Sequence, residues 1–298
     1  MTLTVAIMSP GDMGQAVGAL LAGRGLRIVT CLEGRSARTR ALAAEAGIEA
    51  VADEAALVQD ADILLSILVP AEAEALAARI ATALRGSGSA LLYVECNAIA
   101  PETAQRIATV IEEAGGRFVD AGIIGPPPRG RPSPRFYASG AHVAEFARLG
   151  DHGLDVRPVG AQPGQASAVK MCYAALTKGT CALMTELSIA AERLGVQGAL
   201  QDELAFSQPH HLEWMRRWVP DMVPKANRWV GEMEEIAKTF AATGQTPLTF
   251  AGVAEIYRSV AATPLARTSP EGWASTRRGY EEVVRDLAVQ DSDGGNDE

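Results

Sequence analysis

Val5-Ala6-Ile7-Met8, then Ser9-Pro10-Gly11-Asp12-Met13-Gly14, then Ala16-Val17-Gly18-Ala19-Leu20-Leu21 follow one another at the start of the chain. A short apolar run, a glycine-bearing turn and a segment with helical spacing of its apolar residues read as strand, tight turn and helix. This is the phosphate-binding corner of a doubly wound sheet, where unpaired N–H groups and a partial positive charge at the helix start can receive a pyrophosphate. The fingerprint G-x-G-x-x-G is incomplete, because Ser9 stands where its first glycine belongs and only Gly11 and Gly14 remain. Ser9, Gly11, Asp12, Met13 and Gly14 are the expected dinucleotide contacts at this corner.

The chain continues in the same rhythm. Arg27 to Leu32 reads as a second strand, followed by Glu33-Gly34-Arg35-Ser36-Ala37-Arg38. In such folds the end of this strand faces the adenosine ribose, where a carboxylate selects NAD and arginines accept the 2′-phosphate of NADP. Arg35, Ser36 and Arg38 suit a phosphate clamp, so NADP is expected. Glu33 opposes it and keeps NADP against NAD dependent on where that carboxylate points. Ala61 to Pro70 is an almost unbroken apolar run, as a parallel strand buried on both faces should be. Leu68, Val69 and Pro70 then fall at the carboxyl edge of the sheet, where ligands of this architecture bind. Ala90 to Val94 leads in the same way to Glu95-Cys96-Asn97. Arg117 to Ala121 is expected as a strand that opens into the loop Gly122-Ile123-Ile124-Gly125-Pro126.

Strand and helix alternate to about residue 160, and Pro163-Gly164 marks a break. From Gln165 to Leu194 one long helical pattern runs, and helical patterns fill the rest. The expected fold is therefore a Rossmann-type α/β domain over residues 1–161 followed by an all-α domain over 162–298, with an acidic, disordered tail at 290–298.

Composition narrows the function classes. With 298 residues, 48% hydrophobic, the chain can hold two cores. A net charge of −9 argues against nucleic-acid binding, which needs clustered cations. The four cysteines are widely spaced, with no C-x-x-C pair and no clustered histidines, so reduced thiols in a cytoplasmic protein and no metal site are expected. No stretch approaches the length of a membrane span.

Taken together these segments resemble the β-hydroxyacid dehydrogenase family, the relatives of 6-phosphogluconate dehydrogenase and 3-hydroxyisobutyrate dehydrogenase. Gly11-Asp12-Met13-Gly14 is similar to the family's G-x-M-G turn, and Val69-Pro70 to its post-strand proline loop. Asp120-Ala121-Gly122-Ile123-Ile124-Gly125 is similar to the D-A-P-V-S-G-G substrate loop, and Gly164 to Lys170 to the G-x-G-x-x-x-K start of the linking helix. The helical part resembles a less studied branch with a C-terminal domain of its own, of the DUF1932 kind. The resemblance implies hydride transfer between a nicotinamide and a hydroxy acid or related alcohol, with Lys170 as general acid/base. It also implies cofactor contacts at Asn97 and substrate contacts at Cys96, Asn97, Ile123, Ile124, Gly125, Tyr173, Thr177 and Arg228.

The departures matter. The family's supporting asparagine is replaced by Ala174, its substrate-loop serine falls at Ile124, and its second loop glycine at Pro126, which has no N–H to offer an anion. The substrate is then bulkier, more apolar, or anchored elsewhere, with Arg228 or His210 as candidates. Imine reductases share this architecture but usually lack the lysine, which makes them the alternative; a protein that binds NADP without turnover is the third reading. An amphipathic stretch at Arg228 to Ile236 points to a core or to a homodimer seam.

Overall fold

The computed structural model describes residues 3–268, 270–276 and 278–289; the expected tail at 290–298 lies outside the described residues. The chain divides into two compact units, Met1–Cys172 and Tyr173–Glu298.

In the first unit the strands are β1 (Thr4–Met8), β2 (Arg27–Cys31), β3 (Glu49–Val51), β4 (Ile63–Ser66), β5 (Leu92–Glu95), β6 (Arg117–Ile124), β7 (Arg135–Ser139) and β8 (Asp155–Gly160). The helices between them are α1 (Asp12–Ala22), α2 (Ala37–Glu45), α3 (Glu54–Asp60), α4 (Ala73–Leu84), α5 (Pro101–Glu113) and α6 (Val143–Ala147). The strands form one sheet in the order β3-β2-β1-β4-β5-β6-β7-β8, parallel except where β7 runs against β6. This is the doubly wound arrangement, and the order reverses between β1 and β4, the place where such sheets receive ligands.

Alternation along the strands supplies two cores. Val5 and Ile7 of β1, Ile63 and Leu65 of β4, and Leu92 and Val94 of β5 enter one apolar cluster. Ala6, Met8, Leu64 and Tyr93 enter the other. Strands covered by helices on both faces must be apolar at every position, which is why the run at 61–70 lacks the polar alternation of an exposed sheet.

One expectation is corrected. Ile123 and Ile124, taken for loop residues, belong to β6, where they pair with Phe136 and Arg135 of β7 and are buried. Their β-branched side chains suit a pleated, packed surface, and pairing with β7 carries the strand beyond Ala121.

α7 (Gln165–Arg193) begins in the first unit and continues into the second. The second unit holds the rest of it together with α8 (Gln197–Ser207), α9 (Pro209–Met222), α10 (Ala226–Ala242), α11 (Leu248–Ala262), α12 (Pro270–Thr276) and α13 (Tyr280–Val289). Helices α10 and α11 pack side by side, with Phe240 and Phe250 tilted at 4.8 Å between ring centroids. Among the described residues no helix is long and apolar enough to cross a membrane, and no group of side chains could hold a metal ion.

Candidate functional site

The turn after β1 carries backbone geometry that a dinucleotide corner requires. Ser9 adopts φ +58°, and among the described residues it is the non-glycine residue with a left-handed backbone. The chain therefore turns as if the fingerprint glycine were present, at a conformational cost of about 1–2 kcal/mol. Gly14 lies under the turn: a Cβ there would come within 3.0 Å of the Ser9 carbonyl oxygen and 3.1 Å of Ile7 Cγ2. Gly11 faces open space, with the Ser9 oxygen the nearest heavy atom at 3.9 Å. It precedes α1 without a side-chain cap, so the first N–H groups of that helix have no side chain at Gly11 to satisfy them.

Asp12 in that first turn accepts a hydrogen bond from Arg129 at 2.6 Å and lies 3.9 Å from Arg38. Arg38, expected at the ribose phosphate, thus stands beside the phosphate turn. Arg129 was missed by sequence reasoning. The signal available was weak: a Pro- and Gly-rich stretch after β6 that carries Arg129 and Arg131.

At the end of β2, Cys31, Glu33, Gly34 and Arg35 line an open cavity of about 690 Å³ together with Asp53, Glu54 and Arg79. Arg35 and Glu33 share this cavity. Ser36 is occupied in another way: its Oγ caps α2 by accepting from the Thr39 N–H at 3.2 Å.

The loops after β4 and β5 are tied by one side chain. Asn97 accepts the Leu68 N–H through Oδ1 and donates through Nδ2 to Ser66 Oγ at 2.9 Å, while its own N–H donates to Glu95 Oε1 at 2.8 Å. Asn97 is buried, and Val69, two residues before the Ala71 turn that Pro70 opens, is exposed. Burial pushes the Glu95 carboxyl up to about 7. Burial, followed by the nearby Glu95 and Asp120 carboxylates, pushes the Cys96 thiol well above its ordinary range, so Cys96 is a packed thiol and not a nucleophile.

The lysine is held by two devices. Asp120 on β6 accepts hydrogen bonds from the Gly164 N–H at 2.9 Å, the Ser167 N–H at 2.9 Å, Ser167 Oγ at 2.6 Å and Ser139 Oγ at 3.0 Å. A buried carboxylate thereby receives the donors at the start of α7 and fixes that helix to the sheet. Gly122, two residues on, lies so close beneath α7 that a Cβ would be 2.9 Å from the Ala166 carbonyl oxygen and 2.9 Å from Lys170 Cβ. With the helix seated in this way, Lys170 Nζ donates to the Ile123 carbonyl oxygen at 2.6 Å. Ile123 enters the site through its backbone.

In the second unit, Tyr173 and Thr177 line a cavity with Lys178, Trp218, Asp221, Lys225 and Trp229. Arg228 is not among its walls; its Nε lies 3.7 Å from Glu232. His210 is exposed, and Ala174 is buried. Gly125 has φ +133° and a Cβ there would meet Pro134 at 3.1 Å, which ties the end of β6 to the start of β7.

The residues present fit a dinucleotide. Gly11 leaves the start of α1 open to a phosphate, Gly14 lets the helix close on the strand, and the cavity at the end of β2 is where an adenosine ribose would lie. Sheet order and corner together define a dinucleotide-binding protein of the dehydrogenase and reductase class.

Comparison with known proteins agrees. The family described as the NAD binding domain of 6-phosphogluconate dehydrogenase matches residues 4–149, and the domain of unknown function DUF1932 matches residues 191–260. The conserved protein MTH1747 of unknown function, whose structure is described as similar to 3-hydroxyacid dehydrogenases, is 30% identical, with a TM-score of 0.66 over 87% of this chain and 97% of its own. A conserved hypothetical protein from Sinorhizobium meliloti 1021 is 28% identical, with a TM-score of 0.67 over 97% of this chain and 96% of its own. A 3-hydroxyisobutyrate dehydrogenase from Mycobacterium tuberculosis shares the fold at 20% identity, with a TM-score of 0.66 over 93% of this chain and all 100% of its own. An uncharacterized 28.5 kDa protein of Methanothermus fervidus is 29% identical over 171 residues, 57% of this chain; that match spans 64% of the relative's length. The chain belongs to the β-hydroxyacid dehydrogenase family, in the branch that joins an NAD-binding domain to a DUF1932 domain.

Proposed function

We propose that the protein is an NADP-preferring dehydrogenase or reductase that interconverts a hydroxy acid, or a related alcohol, with its carbonyl partner, and that Lys170 is its general acid/base. When bound, the nicotinamide supplies or accepts the hydride. Ser9 to Gly14 would hold its phosphates, Leu68 to Pro70 and Asn97 its nicotinamide end, and Arg35 with Ser36 and Arg38 its 2′-phosphate. Cys96, Asn97 and the Ile123–Gly125 segment would border the substrate from the sheet side.

The observation that carries this reading is the seating of Lys170. A proton-transfer group must be held in place, since a displacement of about 1 Å can cost about a hundredfold in rate. Asp120 fixes the start of α7 and Gly122 sets its height above the strand, so the ammonium reaches the Ile123 carbonyl at 2.6 Å. A lysine ammonium is a hydrogen-bond donor to a substrate oxygen, and its neutral form can take the hydroxyl proton. The same lysine argues against the imine reductase alternative.

The test is Lys170→Met with a panel of hydroxy acids and NADP⁺. Turnover should fall by about 10²–10⁴-fold while NADPH binding, read by nucleotide fluorescence, is retained. Unchanged turnover would remove Lys170 from the chemistry; turnover absent from the wild-type chain with every substrate, with NADPH still bound, would favour the non-catalytic reading.

Two further proposals concern assembly and location. Leu176 and Leu183, one heptad apart on α7, are exposed, as is Phe206 on α8. Large apolar side chains left in water at such spacing support a homodimer, and light scattering that gives a monomer at micromolar concentration would refute it. Cys31, Cys96, Cys172 and Cys181 are all free, which supports a cytoplasmic location.

A further inference from the structure

The second unit carries a cavity whose walls include Tyr173 and Thr177, two of the substrate contacts that the family resemblance implies, so the inference drawn from it rests on the proposed function. It measures about 230 Å³ and lies between α7, α9 and α10, with Tyr173, Thr177, Lys178, Trp218, Lys225 and Trp229 among its walls. We propose that it binds an aryl carboxylate: one six-membered ring with a short arm that ends in a carboxylate.

Size sets the ring. An apolar cavity of about 150 Å³ admits benzene, so this one has room for a single ring and two or three further heavy atoms. The walls set its character. Two indoles and a phenol offer faces and edges for an aromatic ring, and an edge-to-face arrangement already operates here between Trp229 and Tyr257 at 5.3 Å.

Charge sets the arm. Lys178 is paired with Glu232, and its Nζ sits 5.0 Å from the centroid of the Trp229 ring. Lys225 has no carboxylate partner among the described residues, and Asp221, the one acidic wall of the cavity, is exposed to solvent. The Trp229 indole N–H is buried and has no hydrogen-bond acceptor among the described residues. A buried donor without an acceptor has lost its water and gained nothing in return, a deficit that an arriving acceptor relieves. An unpaired ammonium and an unsatisfied indole N–H in one cavity are two donors that a carboxylate would satisfy. A cationic ligand fits poorly, because Lys178 already lies over the Trp229 ring and Lys225 would repel it.

The experiment is calorimetric titration of the full chain, without cofactor, by phenylacetate, with acetate, benzyl alcohol and benzyltrimethylammonium as comparisons. Phenylacetate should bind with each of the other three weaker by about tenfold or more, since ring and charge each contribute on the order of 1.4 kcal/mol. Lys225→Met and Trp229→Phe should each weaken phenylacetate by about five- to tenfold, the second because it removes the N–H and keeps an aromatic wall. Circular dichroism on the same samples separates lost binding from lost fold, and Lys225, on a half-exposed turn, is the variant expected to fold unperturbed. No binding of phenylacetate at millimolar concentration, tighter binding of the quaternary ammonium, or full affinity in both variants overturns the inference. None of those results bears on Lys170, whose role is read from turnover.

Discussion

Gly122→Ala tests how the lysine is seated. The added Cβ would lie 2.9 Å from the Ala166 carbonyl oxygen and 2.9 Å from Lys170 Cβ, whereas carbon atoms in contact prefer about 3.5–4.0 Å. Relief requires α7 to rise from β6 by about 0.6–1 Å, since neither neighbour is the free end of a flexible side chain. Asp120 resists that movement through three hydrogen bonds to Gly164 and Ser167. The overpacking should cost about 1–3 kcal/mol of stability. The same rise carries Lys170 away from the Ile123 carbonyl, and a displacement of that size should lower kcat by about a hundredfold. Urea melts give the first quantity, steady-state kinetics the second, and NADPH fluorescence a control expected to stay unchanged. Gly231→Ala is the matched comparison: it makes the same chemical change inside α10 with nothing within 4 Å of the new Cβ, and should stabilise by about 0.5–1 kcal/mol. Full stability and full kcat in Gly122→Ala would show that α7 does not rest on β6 as described; lost stability with kcat retained would show that Lys170 alignment does not govern the rate.

The remaining predictions concern the cofactor corner and the buried carboxylates. Ser9→Gly should raise stability by roughly 1 kcal/mol without loss of NADPH affinity, because it relieves the left-handed strain at φ +58°; a lower melting temperature would refute it. Glu33→Gln should shift preference toward NADPH over NADH by about fivefold, on the order of 1 kcal/mol for an exposed charge facing a phosphate, and an unchanged affinity ratio would remove Glu33 from the pocket's selectivity. Glu95 keeps its proton to about pH 7 in the folded chain against an ordinary value of 4.5. Between those values the folded state holds a proton that the unfolded state has released, so stability should fall by about 3 kcal/mol as the pH rises through that window. Glu95→Gln should flatten most of that slope in melts from pH 5 to 8, and an unaltered slope would assign it elsewhere.

Particular residues show what could be read from the chain alone. The β1 corner was legible because an apolar run, a glycine turn and period 3.6 follow one another within a short stretch, whereas Lys170 stood out only through the resemblance of Gly164 to Lys170 to the family's G-x-G-x-x-x-K. The partners of these residues were not. Asp120 lies 47 residues from Ser167 and Arg129 lies 117 from Asp12, and no local pattern encodes contacts at that separation. Ile123 meets Lys170 through a carbonyl oxygen, an atom every residue has. The end of β6 was misplaced for a related reason: Gly122 and Gly125 look like loop glycines, but Gly122 is a strand residue that lacks a Cβ because a helix passes over it.

The pairing of strands explains why the polar groups gather where they do. Ser66, Glu95 and Asp120 are register partners across β4, β5 and β6, and Ser139 completes the row on β7. All four are fully buried. In neighbouring strands such side chains stand about 5 Å apart, so two ionised carboxylates side by side in a dry layer would repel strongly. The hydrogen bonds divide the labour. Asp120 accepts four, including two backbone N–H groups at the start of α7, and is the better place for the charge. Glu95 accepts the Asn97 N–H and sits beside the Tyr93 hydroxyl at 3.4 Å, and it is the one that retains a proton near neutrality. The charged member therefore holds the lysine helix, and the protonated member supports Asn97, which ties together the two loops expected at the cofactor. A single row of the sheet thus positions both halves of the proposed chemistry, which is why replacing Glu95 should be felt in the loops joined by Asn97, and replacing Asp120 in the seating of Lys170.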